Sequence, residues 1–431
     1  MSTVSGVEPV SEFAEPANSK ARRFPFLAAV VLSVLIVGGT FYGRNYTVAP
    51  AHVNGENFRI AQAMYVGEGF ANPTGEKTGP TAWCAPVYPT LFVVLLWLGE
   101  GDRGFVTGAV GILQVCVLIG TGVLVLGVVR QTTRQMSAWL AAAIFLGGLA
   151  YHFSHWFPFA YDCWLMLLTF DLLIAGFCWL GPLVSWQSAA GWGVFGGFCA
   201  MVNPSIALAW GVLTLAQGYR SGTWSRMAVA LLVAGLTLTP WTVRNYLVFG
   251  RWIPVKSNLA YELYQTQCLQ NDGLYQATTA RLHPTVRSSG ERQEFKTLGE
   301  AAYLDRKRQQ FWESVRADPV DFLDRVASRF LGATVWYVPF NRADEARQPW
   351  VLWARRFAHP LPFLALVFLL FTGFREPLSW PQWTVIGVYV LYLLPYIAAS
   401  YYERYAVPLV AVKVLLVTWA VDRLLSFGQR G

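Results

Sequence analysis

Between Phe105 and Val129 the chain runs FVTGAVGILQVCVLIGTGVLVLGVV without a charged side chain. Wound as a helix at about 1.5 Å per residue, such a run exceeds the ~30 Å hydrocarbon thickness of a bilayer. Lipid offers backbone groups no hydrogen-bond partner, so a segment there must satisfy its own N–H and C=O groups. Only helices and closed barrels do so, and continuous rather than alternating hydrophobicity selects the helix. Largely apolar runs recur over Phe26 to Tyr42, Ser137 to Tyr151, Cys163 to Leu180, Ala228 to Trp241, Val351 to Phe371, Trp383 to Ala399 and Ala406 to Leu425. Charged residues make up only 13% of the chain, against about a quarter in soluble domains, which agrees with an integral membrane protein.

The predicted fold is therefore an all-α polytopic membrane protein of about ten spans, both termini inside by the distribution of Lys and Arg. The net charge of +8 does not indicate nucleic acid, because the basic residues are scattered between spans and form no continuous face. Residues 1–25 read as a cytoplasmic tail and 26–243 as an N-terminal transmembrane module with an outer loop at 43–104. Residues 244–350 read as a polar outer-face subdomain, 351–425 as C-terminal transmembrane helices and 426–431 as a second tail. Within the subdomain, helices are expected near Gly299 to Val315 and Pro319 to Phe330. The stretch Gly191 to Gln217 is interrupted at Asn203-Pro204 and is drawn as two short helices meeting on the outer side, a break tolerated only in protein or beside water. One proline-kinked span is the alternative.

Chemistry-bearing residues gather in the loops assigned to one side. Glu56 opens a short helix to about Gly67, capped by Asn54, with Arg59 three residues on. Asp162 ends the loop HFSHWFPFAYD. Two carboxylates at one aqueous boundary suit base catalysis, acceptor orientation or a divalent cation. Lys77, Arg244 and Arg404 stand among Trp and Tyr on the same side, where a lipid phosphate would need them. Read singly, each equally describes a solvated helix start or an anchor snorkelling to the interface. His152 and His155, near Asp162, leave a metal open. Gly75-Glu76-Lys77-Thr78 lacks the spacing of a phosphate loop, and no glycine fingerprint follows a strand, so a soluble nucleotide-binding domain is not expected. Cys84 and Cys268 fall on one side, which leaves a disulfide open.

Taken together, ENFRIAQA from Glu56, GPTAWCAPVYP, the Asp162 loop, Asn203-Pro204, PWTVRNYLVFG followed by SNLAYEL, and the late ERYAVP resemble the bacterial glycosyltransferase family 39. That group comprises GT-C type membrane enzymes related to protein O-mannosyltransferases and lipid A aminoarabinose transferases. The resemblance implies a sugar taken from a polyprenyl-phosphate donor at the outer face of the bacterial inner membrane, and a glycan, lipid or protein acceptor. It implies Glu56 as the required acid of the first outer loop, where many relatives carry Asp, and Asp162 as the acid of the second. Lys77 and Arg244, with Arg404 third, would contact the lipid phosphate. Arg59, Tyr88 and Glu262 would contact substrate, and the segment holding Glu262 and His283 would cover the site. No organic cofactor is implied; a divalent cation at Asp162 and His155 stays open. A transporter or flippase of lipid-linked or small anionic substrates is the competing expectation.

Overall fold

The computed structural model describes residues 55–75, 77–133, 136–153, 161–269 and 272–428. The expected first span at 26–42, the expected cap Asn54 and His155 lie outside them. Among the described residues the structure is helical, with two isolated bridges and no strand. Six helices are long and apolar enough to cross a membrane: Arg103–Thr132, Cys163–Leu180, Trp224–Phe249, Pro349–Gly373, Trp380–Ala398 and Glu403–Phe427. The chain is thus an all-α protein with the helices of a multi-pass membrane protein.

Glu403–Phe427 is the most deeply enclosed of the six. Its main helix, Val410–Gly428, packs on Met136–Phe153, Leu361–Thr372, Arg103–Thr132 and Trp380–Ala398. Its first seven residues, Glu403–Leu409, form a 3₁₀ helix of just over two turns with Pro408 inside, lying against Cys163–Ala175. That contact carries Arg404 toward the start of the Cys163 helix, where Asp162 sits at the N-cap position.

The interruption at Asn203 is a hairpin. Proline disfavours the helical conformation in the residue before it, and Asn203 is extended at φ −163°, ψ 131°. Trp186–Val202 therefore ends there, and Pro204–Ser221 starts with Pro204 at its first position, where a missing N–H costs nothing. Asn203 Oδ1 caps the new helix by accepting from the Ser205 amide at 3.1 Å and the Ser205 hydroxyl at 2.6 Å. The two helices run back along each other, since Trp192 Nε1 donates to Thr214 Oγ1 at 2.8 Å and Gly196 lies under the Trp210 indole.

Trp186–Val202 also packs along Trp224–Phe249 through small residues, as helices in lipid do. A Cβ on Gly193 would stand 2.5 Å from the Ala230 carbonyl oxygen, and one on Gly197 would stand 2.5 Å from Thr237 Cβ. Backbone and a β-branched carbon cannot swing aside. Gly193→Ala is therefore expected to destabilise the protein by about 1–3 kcal/mol, visible as a lowered Tm in detergent. Gly211→Ala, which faces open space, is the control and should leave Tm in place.

Two expectations shift. Trp224–Phe249 continues through Pro240, past the expected end at Trp241. The expected span from Val351 begins at Pro349 and passes through a turn at His359-Pro360, because proline supplies no N–H to the ladder. The polar segment is helical where expected: Gly290–Ala317 breaks at Gly299, whose φ of 74° favours glycine, and Pro319–Thr334 follows. Ile60, Phe70, Trp83, Tyr261, Phe295 and Tyr303 form a second core that joins this segment to the 55–85 stretch.

Candidate functional site

Between the hairpin tip, the 3₁₀ turn and the second core lies a cavity of about 810 Å³. Glu56, Arg59, Tyr88, Asp162, Glu262 and Arg404 all line it, and so do Asn203 and His283. Segments from Gly55 to Pro408 thus meet in one chamber. Phe92, Met166, Val202 and Pro395 contribute apolar surface to its lining.

Glu56 heads the Glu56–Tyr65 helix. Gly55 occupies the N-cap position and provides no side-chain bond, so the first turn depends on its own carboxylate and the helix dipole. Trp83 Nε1 donates to Glu56 Oε1 at 2.7 Å. Burial pushes the Glu56 pKa above the usual carboxylate range; the Trp83 N–H, Arg404 and Arg59 oppose this, and Asp162 adds to it. A carboxylate so placed is a stronger base than one in water.

Arg404 lies with its guanidinium carbon 3.9 Å from the Tyr161 ring centroid, and Tyr402 and Tyr405 flank it at 5.2 Å and 5.7 Å. Among the described residues none hydrogen-bonds or ion-pairs with that guanidinium, and its buried Nε has no partner. Lys256 also lines the chamber without a hydrogen bond or ion pair to a described residue. Asp162 makes no capping bond. Two cations thus line the chamber without a hydrogen bond or ion pair to a described residue.

Arg59 is a clamp. Its Nη1 donates to the Thr74 carbonyl at 3.0 Å and the Thr285 carbonyl at 3.1 Å, tying two loops to the Glu56 helix. Tyr88 accepts from Trp164 Nε1 at 3.0 Å. Glu262 accepts from Gln265 Nε2 at 2.5 Å and Asn258 Nδ2 at 3.3 Å, and burial raises its pKa against the pull of Lys256 and His283.

Two of the expected phosphate ligands stand elsewhere. Lys77 is exposed in the 71–80 loop at φ 59° and is absent from the cavity lining. Arg244 is also absent from that lining; it donates to the Thr81 carbonyl at 2.7 Å, the Phe70 carbonyl at 2.9 Å and Asn245 Oδ1 at 2.9 Å, beneath Phe70 and Trp241. It fixes the loop that presents Trp83. Removing those charged hydrogen bonds in Arg244→Ala should lower stability by on the order of 1–3 kcal/mol, read as a lower Tm and faster proteolysis within 70–85. His152 packs edge-on against Tyr337 at 5.5 Å, outside the cavity lining. Among the described residues no group of three His, Cys, Asp or Glu is arranged to hold a metal. Cys84 and Cys268 are free thiols; Cys84 lies 4.0 Å from Glu56 Oε2, and Cys268 donates to the Gln310 carbonyl at 3.6 Å.

Sequence reasoning missed Trp83, Lys256 and Glu300. Glu300 accepts from the Ala82 amide at 2.9 Å, the Ser257 hydroxyl at 2.7 Å and the Thr81 hydroxyl, and so locks the Trp83 loop to the Lys256 loop. Its one sequence signal is Gly299, the glycine that breaks the helix beside it.

The chain matches no family model, no curated protein and no solved structure.

Proposed function

We propose that the protein is a membrane glycosyltransferase that moves a sugar from a polyprenyl-phosphate donor to an acceptor hydroxyl. The observation that carries this reading is the pairing, in one partly apolar chamber, of the half-buried Glu56 carboxylate with the Arg404 guanidinium, whose buried Nε has no partner. A base without an anion site would suit many hydrolases, and an anion site without a base would suit a carrier. Their combination in a chamber with apolar lining suits a substrate that joins a phosphate to a lipid tail.

In this mechanism the acceptor oxygen attacks the anomeric carbon as its proton passes to Glu56. The bond from that carbon to the phosphate oxygen breaks, and the electron pair leaves with the polyprenyl phosphate. Arg404 and Lys256 stabilise the charge on that leaving group, and Asp162 orients the acceptor. The configuration inverts. About ten spans in a GT-C-like bundle, a site facing the periplasm of a bacterial inner membrane, and a cover formed by 244–350 belong to the same proposal.

Transport is a second reading, because Asp171 and Lys413 are buried within apolar helices, where ionisable groups mark ion paths. Neither lines the chamber. Asp171 instead accepts from Thr121 at 2.5 Å, linking two helices. The test is transfer of radiolabelled sugar from polyprenyl-phosphate donors by the purified chain, with and without chelator. Labelled acceptor establishes the transferase, and the chelator arm decides the metal. Label accumulated in proteoliposomes without covalent product would establish the carrier.

A further inference from the structure

We propose that His283 is a positioning residue for Glu56: its Nε2–H holds carboxylate oxygen Oε1 and thereby presents Oε2 to the acceptor hydroxyl. The inference rests on the glycosyl-transfer reading and deepens it. The two oxygens of Glu56 have unequal surroundings. Oε1 accepts from Trp83 Nε1 at 2.7 Å and faces His283 Nε2 at 3.5 Å. Among the described residues, Oε2 has only the Cys84 thiol, a weak donor, at 4.0 Å.

The tautomer of His283 follows from its other nitrogen. The Thr285 amide donates to Nδ1 at 3.3 Å, and the Thr285 hydroxyl lies 2.8 Å from the same atom. Nδ1 therefore carries the lone pair, and the ring proton sits on Nε2, pointing at Glu56. Burial lowers the His283 pKa to about 4, so the ring stays neutral at working pH. A separation of 3.5 Å is long for an N–H···O bond, and at that range the N–H dipole still favours the charged form of the carboxylate.

The loop carrying His283 is fixed from the same helix that carries Glu56. Arg59 grips the Thr285 carbonyl, while Ser289 Oγ bonds to the His283 and Val286 carbonyls at 3.0 Å each. The ring is boxed by Trp83 and Tyr261, edge-on at 6.1 Å and 5.1 Å. The titratable groups acting on Glu56 are Arg404, Arg59 and Asp162, and Glu56 in turn acts on Cys84, Tyr161, Glu262 and Tyr275; those acting on His283 are Glu262, Arg59, Glu291 and Arg404.

The test titrates Glu56 directly. Infrared spectra of the purified full chain in detergent give the carboxyl band that is missing in Glu56→Gln, and its pH midpoint is compared in wild type, His283→Ala and His283→Gln. Loss of an N–H donor to the carboxylate should move the midpoint upward by on the order of half a pH unit in His283→Ala. The amide donor of His283→Gln should restore most of it, and the acid limb of the kcat profile should move with it. Equal midpoints in all three proteins, or equal displacement in both variants, overturns the proposal. The infrared readout needs no donor lipid, so wild-type protein that transfers no sugar refutes the glycosyl-transfer reading separately.

Discussion

Glu56→Gln is expected to lower sugar transfer by about two to four orders of magnitude, the usual worth of a general base, and to leave the protein folded. The amide keeps the shape of the side chain and can still accept the Trp83 N–H through its oxygen. What it loses is the ability to take a proton. The effect on stability has a defined sign. Burial raises the folded pKa of Glu56 above its unfolded value, so its contribution to stability is present below the unfolded pKa and is lost as pH rises through the folded one. At neutral pH the carboxylate opposes folding, and the glutamine variant should match or exceed the wild-type Tm. Activity follows the opposite course, rising with pH as Glu56 ionises. Measured together, lost turnover with an undiminished Tm identifies a base. Retained turnover removes Glu56 from the chemistry, and lost turnover with a fallen Tm makes it structural.

The helices were legible because lipid and proline leave few choices. An uncharged run such as Phe105 to Val129 admits one structure, and Asn203-Pro204 breaks a helix for reasons local to two residues. Glu56, Asp162 and Arg404 were legible as carboxylates and a cation in loops assigned to one side. What the pattern could not convey was which cation is already satisfied. Lys77 and Arg244 sit among the same glycines, aromatics and prolines as Arg404, but carbonyl partners for Arg244 come from residues more than 160 positions away, at Thr81 and Phe70. Trp83 and Lys256 were hidden for the same reason. Each is placed by Glu300, which accepts from Thr81, Ala82 and Ser257 across a separation of 43 to 219 positions. Periodicity reports the face of a helix, and hydrogen-bond closure between distant loops leaves no period.

Arg404→Gln is expected to cut transfer by about 10²–10³-fold, the cost of losing one charged donor to a developing anion in a dehydrated site. Its Tm should shift modestly, because the guanidinium makes no hydrogen bond to the described residues and loses its contacts with the Tyr161, Tyr402 and Tyr405 rings. Arg404→Lys should recover part of the rate: it keeps the charge but gives up the planar fork and the ring contact that aims it. Lys256→Ala should lower transfer less than Arg404→Gln, since a single flexible ammonium is the weaker clamp. Lys77→Ala should leave turnover unchanged, for Lys77 is exposed and outside the chamber. The comparison with Arg244→Ala separates binding from folding. There the loss of rate should accompany a loss of Tm, because the same side chain supports the Trp83 loop that holds Glu56. If Lys77→Ala cost more turnover than Arg404→Gln, the leaving phosphate would lie at the 71–80 loop and not against the 3₁₀ turn. A full rate in Arg404→Gln would leave the stacked guanidinium as an aromatic anchor and take from the chamber the anion site on which glycosyl transfer depends.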